Sequence, residues 1–401
     1  MKRAIAIASL VAFLAAGCSL PGGLRASIPW LRPPSQVVAP DPPIPPSPPA
    51  PPSPPPKVPV HVRGLYLTGY TAGSRQRVDD LLAFAKRADL NAMVIDAKDD
   101  DGRISFQTDI PLAREIGSNS EKIKDAPALL QELADQGIYT IARIVVFCDP
   151  LLSSKRPDLA ILNAKWRDTR GLTWSDPLNQ EVWKYNVDIA KAAAKAGFKE
   201  IQFDYVRFPE RKLAATTLGL NQEKRVAAIT DFLDYAKQEL EPLNVFVSAD
   251  VFGLTTTVED DMMIGQDYAG IARAVDYISP MVYPSHYSSG NYGLKDPDSA
   301  PYETVFASIE KGKAKTPDLS TDHVRPWIQD FSLRHQYGKV EVEAQLRALA
   351  KAGVRQFMLW DPKNKYTRDV DFGVLNEDLA KQESTTTNPS DPATGQGGTG
   401  K

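Results

Sequence analysis

The sequence predicts an α/β fold, a (β/α)8 TIM barrel, preceded by a signal peptide and a proline-rich linker. Three observations predict it. Short β-rich runs alternate with amphipathic helical stretches between residues 60 and 382, the pattern of a parallel α/β sheet. The β-rich runs close at eight, over a length typical of such a barrel. No G-x-G-x-x-G follows the first run, which weighs against the alternative of an open doubly wound sheet.

Each element has its own signal. The first strand is His61 to Thr68, and Val78 to Ala88 is a helix, with Leu81, Leu82, Phe84 and Ala85 at helical spacing. The second strand is Ala92 to Asp96, followed by a helix from Ala126 to Gln136 that Gly137 closes. Strand three covers Tyr139 to Val146 and precedes a helix from Asn179 to Ala196, closed by Gly197. Strand four is the Ile201 to Phe203 segment, with a helix from Glu223 to Leu240 after it. Strand five is Val245 to Asp250, and Ile271 to Val275 ends the next helix. Strand six is Tyr277 to Tyr283, with a helix over Glu303 to Lys311 that Gly312 is placed to close. Strand seven is Val324 to Gln329, Val342 to Ala352 is a helix, and strand eight is Gln356 to Trp360.

The remaining segments do not read as barrel. Residues 1–17 have a basic start (Lys2, Arg3), an apolar run and small residues before Cys18, the pattern of a secretion signal. Leu14-Ala15-Ala16-Gly17-Cys18 resembles the bacterial lipobox, with Ala15 where Leu is commonest. The resemblance implies cleavage before Cys18, lipid on its sulfur and a membrane attachment. Ser19 in place of Asp implies the outer membrane of a Gram-negative envelope. Residues 18–59 are expected to be a spacer; from about residue 29 to residue 59 proline dominates, and that run reads as extended polyproline on the order of 100 Å long at about 3.1 Å per residue. Residues 383–401 read as a disordered tail. The formal net charge of −3 gives no electrostatic case for a nucleic-acid partner. With only Cys18 and Cys148 present, and Cys18 lipidated, no internal disulfide can form, so Cys148 reads as a buried thiol. A monomer is expected.

In a TIM barrel the active site lies at the C-terminal ends of the strands. Those ends carry Tyr66 and Thr68; Asp96 and Lys98; Arg143; Asp204 and Arg207; Asp250; Tyr283 and His286; Gln329 and Asp330; then Trp360 and Asp361. Asp204 is the most informative, because it ends an apolar strand, is not followed by a helix start, and has Arg207 nearby to pair with it. Asp96 has Lys98 or Arg143 as alternative partners, and Asp361, before Pro362, reads as a helix cap. Acids together with aromatics suit glycoside hydrolysis, which needs two carboxyls about the scissile bond and flat apolar surfaces for sugar rings. Asp204, Asp250 and Asp330 are the acids expected to be functional, with the catalytic roles that the resemblance given below implies. The expected substrate-binding residues are Tyr66, Asp96, Lys98, Arg143, Arg207, Tyr283, His286, Gln329 and Trp360.

Other chemistries find little support. Asp99-Asp100-Asp101-Gly102 lacks the ligand spacing of an EF-hand and reads as a turn. The four histidines include no zinc pair, and no G-x-S-x-G elbow is present, so no metal or organic cofactor is expected. A phosphate-handling lyase would need a Gly-rich loop after strands seven and eight, and none is there. A non-catalytic glycan-binding barrel is the alternative from a different class; it keeps the aromatics without needing the acids.

The pattern from Gly64-Leu65-Tyr66-Leu67-Thr68 through Phe203-Asp204-Tyr205-Val206-Arg207-Phe208-Pro209 to Ser279-Pro280-Met281-Val282-Tyr283-Pro284 resembles a widespread bacterial family. Its members are exported or lipid-anchored TIM barrels assigned to glycoside hydrolysis. Trp327-Ile328-Gln329-Asp330-Phe331 and Leu359-Trp360-Asp361 fit the same pattern. More distantly, acids after strands four, five and seven are similar to the α-amylase superfamily layout. That similarity implies Asp204 as nucleophile, Asp250 as proton donor and Asp330 as transition-state stabiliser. Two positions depart from it: the donor there is usually Glu, and Gln202 stands where an Arg is expected.

Overall fold

The computed structural model describes residues 57–386 apart from Arg211 and Lys212, so the signal, Cys18, nearly all of the spacer and the end of the tail lie outside the described residues. Eight parallel strands close into a barrel in sequence order. They are β1 (Arg63–Leu67), β2 (Ala92–Lys98), β3 (Tyr139–Val145), β4 (Glu200–Asp204), β5 (Phe246–Phe252), β6 (Tyr277–Met281), β7 (Trp327–Gln329) and β8 (Phe357–Trp360). Pairing of β1 with β8 completes the ring, with Gly64 opposite Met358. The principal helix after each strand is, in order, α1 (Arg75–Arg87), α2 (Ala126–Asp135), α3 (Gln180–Ala196), α4 (Gln222–Leu240), α5 (Tyr268–Ala274), α6 (Pro301–Lys315), α7 (Lys339–Lys351) and α8 (Val374–Thr386). The barrel expected from the alternation of elements is therefore the fold.

Local chemistry explains where the helices begin. Asp125, Asn179, Asn221 and Asp267 each accept a backbone N–H of the first turn of α2, α3, α4 and α5, satisfying donors that a helix start leaves free. Two expectations about helix ends fail. Gly312 does not close α6, which continues to Lys315; it lies inside the helix, at a position where a Cβ would stand 2.9 Å from the Tyr268 hydroxyl. Asp361 caps no helix: its Oδ1 accepts the N–H groups of Lys363 and Lys365 in a turn. The Asp99 turn is observed, with Asp99 accepting the N–H groups of Asp101 and Arg103 and pairing with Lys122.

Side chains alternate between two environments, as the pleat requires. Along β4, Ile201 and Phe203 pack outward into the apolar layer beneath the helices. Glu200, Gln202 and Asp204 are then left facing the interior. At the N-terminal end, Glu200 pairs with buried Arg325 and accepts the Ser248 hydroxyl at 2.6 Å. Arg325 also donates to Gln356 at 3.0 Å and lies 3.7 Å from the Tyr277 ring centroid. This polar plug leaves the C-terminal end as the open mouth.

Candidate active site

The mouth is organised by Arg143, which β3 points inward between two acids. Its Nη1 donates to Asp96 Oδ1 on β2 at 2.6 Å. Its Nε and Nη2 both donate to Asp204 Oδ2 on β4, at 2.9 and 2.5 Å. All three side chains are buried, a costly arrangement that persists because one guanidinium serves both carboxylates. Burial opposes the charge on Arg143, but Asp204 and Asp96 outweigh it and hold its pKa well above the ordinary value.

Asp204 has a third partner. Tyr205 adopts φ +49°, a left-handed conformation that is uncommon for a tyrosine, and its N–H lies 2.6 Å from Asp204 Oδ1. The strained turn ends β4 abruptly and fixes the carboxylate at the lip, as strain at a functional site often does. Asp204 therefore continues into a turn rather than a helix, in keeping with the sequence.

Asp250 completes the pair. The register Gln202↔Ser248 and Phe203↔Ala249 puts Asp204 and Asp250 at matching positions, on strands about 4.8 Å apart. Trp327 Nε1 donates to Asp250 Oδ1 at 2.8 Å. Burial, reinforced by the charge of Asp204, pushes the Asp250 carboxyl well above the usual carboxylate range; Arg143 and the indole N–H only partly offset this.

A cavity of about 520 Å³ opens over these groups, lined by Arg143, Asp204, Asp250, Tyr283, Trp327 and Trp360 among others. Arg207 and His286 also line it. Of the expected residues, the structure thus brings Asp204, Asp250, Arg143, Arg207, Tyr283, His286 and Trp360 to one cavity.

The others stand elsewhere. Asp96 and Tyr66 form a supporting layer: the Tyr66 hydroxyl donates to Asp96 Oδ2 at 2.6 Å, and its ring stacks on Trp360 at 4.0 Å. Lys98 is corrected. It points into the helical layer, fully buried, where Nζ meets Asp149 at 2.7 Å and Asn186 at 2.8 Å. A register shift in β2 between Asp96 and Lys98 takes it off the inward face. Gln329 is buried and accepts the N–H and hydroxyl of Ser285 while donating to Phe331 O, so it ties two loops together rather than facing the cavity. Asp330 accepts the N–H and hydroxyl of Thr367 at 2.9 and 2.6 Å and lines no part of the cavity, so it anchors the segment after β8.

The expected Arg207–Asp204 pair is also corrected. Arg207 turns away, donating to Phe208 O and Glu210, and Arg143 takes the place expected of it. Trp327 was missed as a site residue. Its signal was the period of two within its strand: Trp327 shares the inward face of Arg325, but strand-end reasoning selected only the final residues. Cys148 is buried as expected, and burial pushes its thiol up to about 12 despite Arg170 beside it.

Comparison with known proteins adds to this geometry. A family model described as a "putative glycosyl hydrolase domain" matches residues 64–366, from β1 to beyond β8. A hypothetical protein from Ruminiclostridium thermocellum ATCC 27405 is 44% identical, covering 47% of this chain and 97% of its own, at a TM-score of 0.42. The PgaB (BpsB) glycoside hydrolase domain from Bordetella bronchiseptica is 13% identical, covering 82% of this chain and 100% of its own, at a TM-score of 0.57. A class V chitinase from Pseudomonas fluorescens Pf-5 is 12% identical, covering 80% and 100%, at a TM-score of 0.50. At such identities the last two likenesses are of fold. No curated protein matches the chain.

Proposed function

The chain belongs to this family of glycosyl hydrolase domains, and from that premise we propose that it is a glycosidase worked by Asp204 and Asp250. One observation carries the reading: two carboxyls at matching positions of β4 and β5 share one cavity, and their environments differ. Asp204 has a guanidinium and a backbone N–H as partners. Asp250 is buried, with its pKa raised. A carboxyl held toward its protonated form beside one paired with a cation supplies the two roles that glycoside hydrolysis needs.

In the proposed reaction, Asp204 attacks the anomeric carbon as its bond to the leaving oxygen breaks. Asp250 gives its proton to that oxygen. Asp250 then takes a proton from water, whose oxygen displaces Asp204 from the anomeric carbon and restores both acids. Placement on neighbouring strands supports the close spacing of a retaining pair. Arg143 orients Asp204 and supplies its counter-charge. Tyr283 and Trp360 offer faces to sugar rings. The substrate is a poly- or oligosaccharide, and no step needs Asp330.

The test is release of reducing ends from a panel of α- and β-linked glycans by wild type and Asp204→Asn. Release by wild type alone supports the proposal. Equal release by both removes Asp204 from the mechanism. Binding without release by either supports the glycan-binding barrel instead. We further propose that the signal, Cys18 and the spacer hold the domain at the cell envelope. Cys18→Ser is expected to abolish lipid incorporation and move the protein from the membrane to the soluble fraction.

A further inference from the structure

A second groove, of about 250 Å³, lies between the segment after β3 and the lip of β4. Trp166, Arg170 and Trp174 line one side. Tyr205, Arg207 and Glu210 line the other, and these three also line the main cavity. The two spaces therefore adjoin each other across these three residues.

Arg207 is the unusual member of that wall. It is buried, with its guanidinium carbon 4.9, 5.1 and 4.5 Å from the ring centroids of Trp174, Tyr205 and Phe252. A guanidinium has five N–H donors. Among the described residues only two acceptors meet it: Phe208 O at 3.1 Å and Glu210 Oε1 at 3.3 Å. Glu210 is itself largely exposed, with 64% of its side chain open to solvent. The three rings offset part of the cost of burying this cation, but its carboxylate partner is loose and exposed. Burial accordingly pulls its pKa below the ordinary value, with Glu210 and the other nearby charges only partly opposing this.

Asp168 and Arg170, the other charges beside Glu210 in the groove, already have partners, Arg170 lying 3.5 Å from Asp100. Asp168 accepts the N–H groups of Arg170 and Leu172 and the Trp174 indole N–H, and lies 3.4 Å from the Arg170 guanidinium. The hydroxyls of a neutral sugar can accept from Arg207 but bring it no counter-charge. A carboxylate would satisfy it with the planar, two-pronged geometry that guanidinium prefers.

We propose that this groove is a sugar subsite adjoining the catalytic cavity, and that Arg207 makes it selective for a uronic acid by binding the sugar carboxylate. The inference rests on the glycosidase reading for its orientation toward a glycan, but its test does not depend on turnover. Binding is measured with the full chain and two matched sets of probes: β-1,4- and α-1,4-linked uronic acid hexasaccharides, and the same hexasaccharides with each carboxyl reduced to the alcohol. Wild type is expected to bind at least one acidic member about tenfold or more tightly than its reduced counterpart, the scale of a charge-assisted hydrogen bond in a desolvated site. Arg207→Met is expected to abolish that preference. Arg207→Lys, which keeps the charge without the fork, is expected to retain only part of it. Equal affinity for both members of every pair, or binding to neither, overturns the proposal even if Arg207→Met fails to fold. Cleavage of neutral glycans without an acidic preference would sink this inference and leave the glycosidase reading standing. Acid-selective binding without cleavage would do the reverse.

Discussion

Trp327 on β7 donates its indole N–H to Asp250 on β5, 2.8 Å away and across the intervening β6. The bond stabilises the charged form of a carboxyl that burial pushes toward its neutral form. The bond holds the acid in one orientation while burial favours its protonated form.

Because the Asp250 pKa is raised, the group proposed as proton donor stays protonated above the ordinary carboxylate range. The falling, alkaline limb of the kcat/KM profile should therefore lie above that range. Trp327→Phe removes a donor that lowers the pKa, so the limb should move further up. A limb that stays in place, or moves down, would show that another group sets it.

Asp250→Asn removes the proposed proton donor. Loss of a general acid costs about 10²–10⁴-fold in turnover. Aryl glycosides with good leaving groups need less protonation and should suffer a smaller loss. Equal losses on activated and unactivated substrates would count against the acid role.

Arg143→Met leaves Asp96 and Asp204 buried without their shared cation. Removing one partner of a buried ion pair costs about 3–5 kcal/mol. Adding Asp96→Asn removes one of the stranded charges and should restore part of the stability in urea unfolding. A double variant no more stable than Arg143→Met would show that the Asp96 charge carries none of the cost.

Asp330 offers a test of stability against pH. Burial pushes its carboxyl up to about 6, although hydrogen bonds from Thr367 pull the other way. The unfolded value is about 3.9, so the folded state binds this proton more tightly. The resulting stability is full below about pH 4 and is lost as pH rises through about 6. The thermal midpoint of wild type should therefore fall relative to Asp330→Asn across that window. Parallel profiles would contradict the raised value.

Much of this arrangement is legible along the chain. The alternation of β-rich runs with capped amphipathic helices specifies the barrel, because each signal is local: a period of two, a period near 3.6, an Asn or Asp before the first turn. The C-terminal-end rule then brings Asp204, Asp250, Arg143, Tyr283 and Trp360 to one mouth. Period two also carries the signal for Trp327, whose bulk reaches the site from a position behind the strand end.

Lys98, Gln329 and Asp330 meet the same rule and are used elsewhere, since a strand end states height along the barrel and not where a long side chain finds its partner. Lys98 follows a register shift and meets Asp149, 51 residues later. Asp330 meets Thr367 across a loop. Arg207 is nearer Asp204 in sequence than Arg143 is, yet the turn at Tyr205 carries it outward while β3 delivers Arg143 from the adjacent strand. The sequence by itself determined the barrel, its polarity and the presence of acids and aromatics at one end, because backbone periodicity and burial are properties of neighbouring residues. Only the tertiary structure decided which acid pairs with which cation, and that burial beside another acid pushes Asp250 toward its protonated form, because charges in a low-dielectric interior answer to atoms a few ångströms away whatever their distance along the chain.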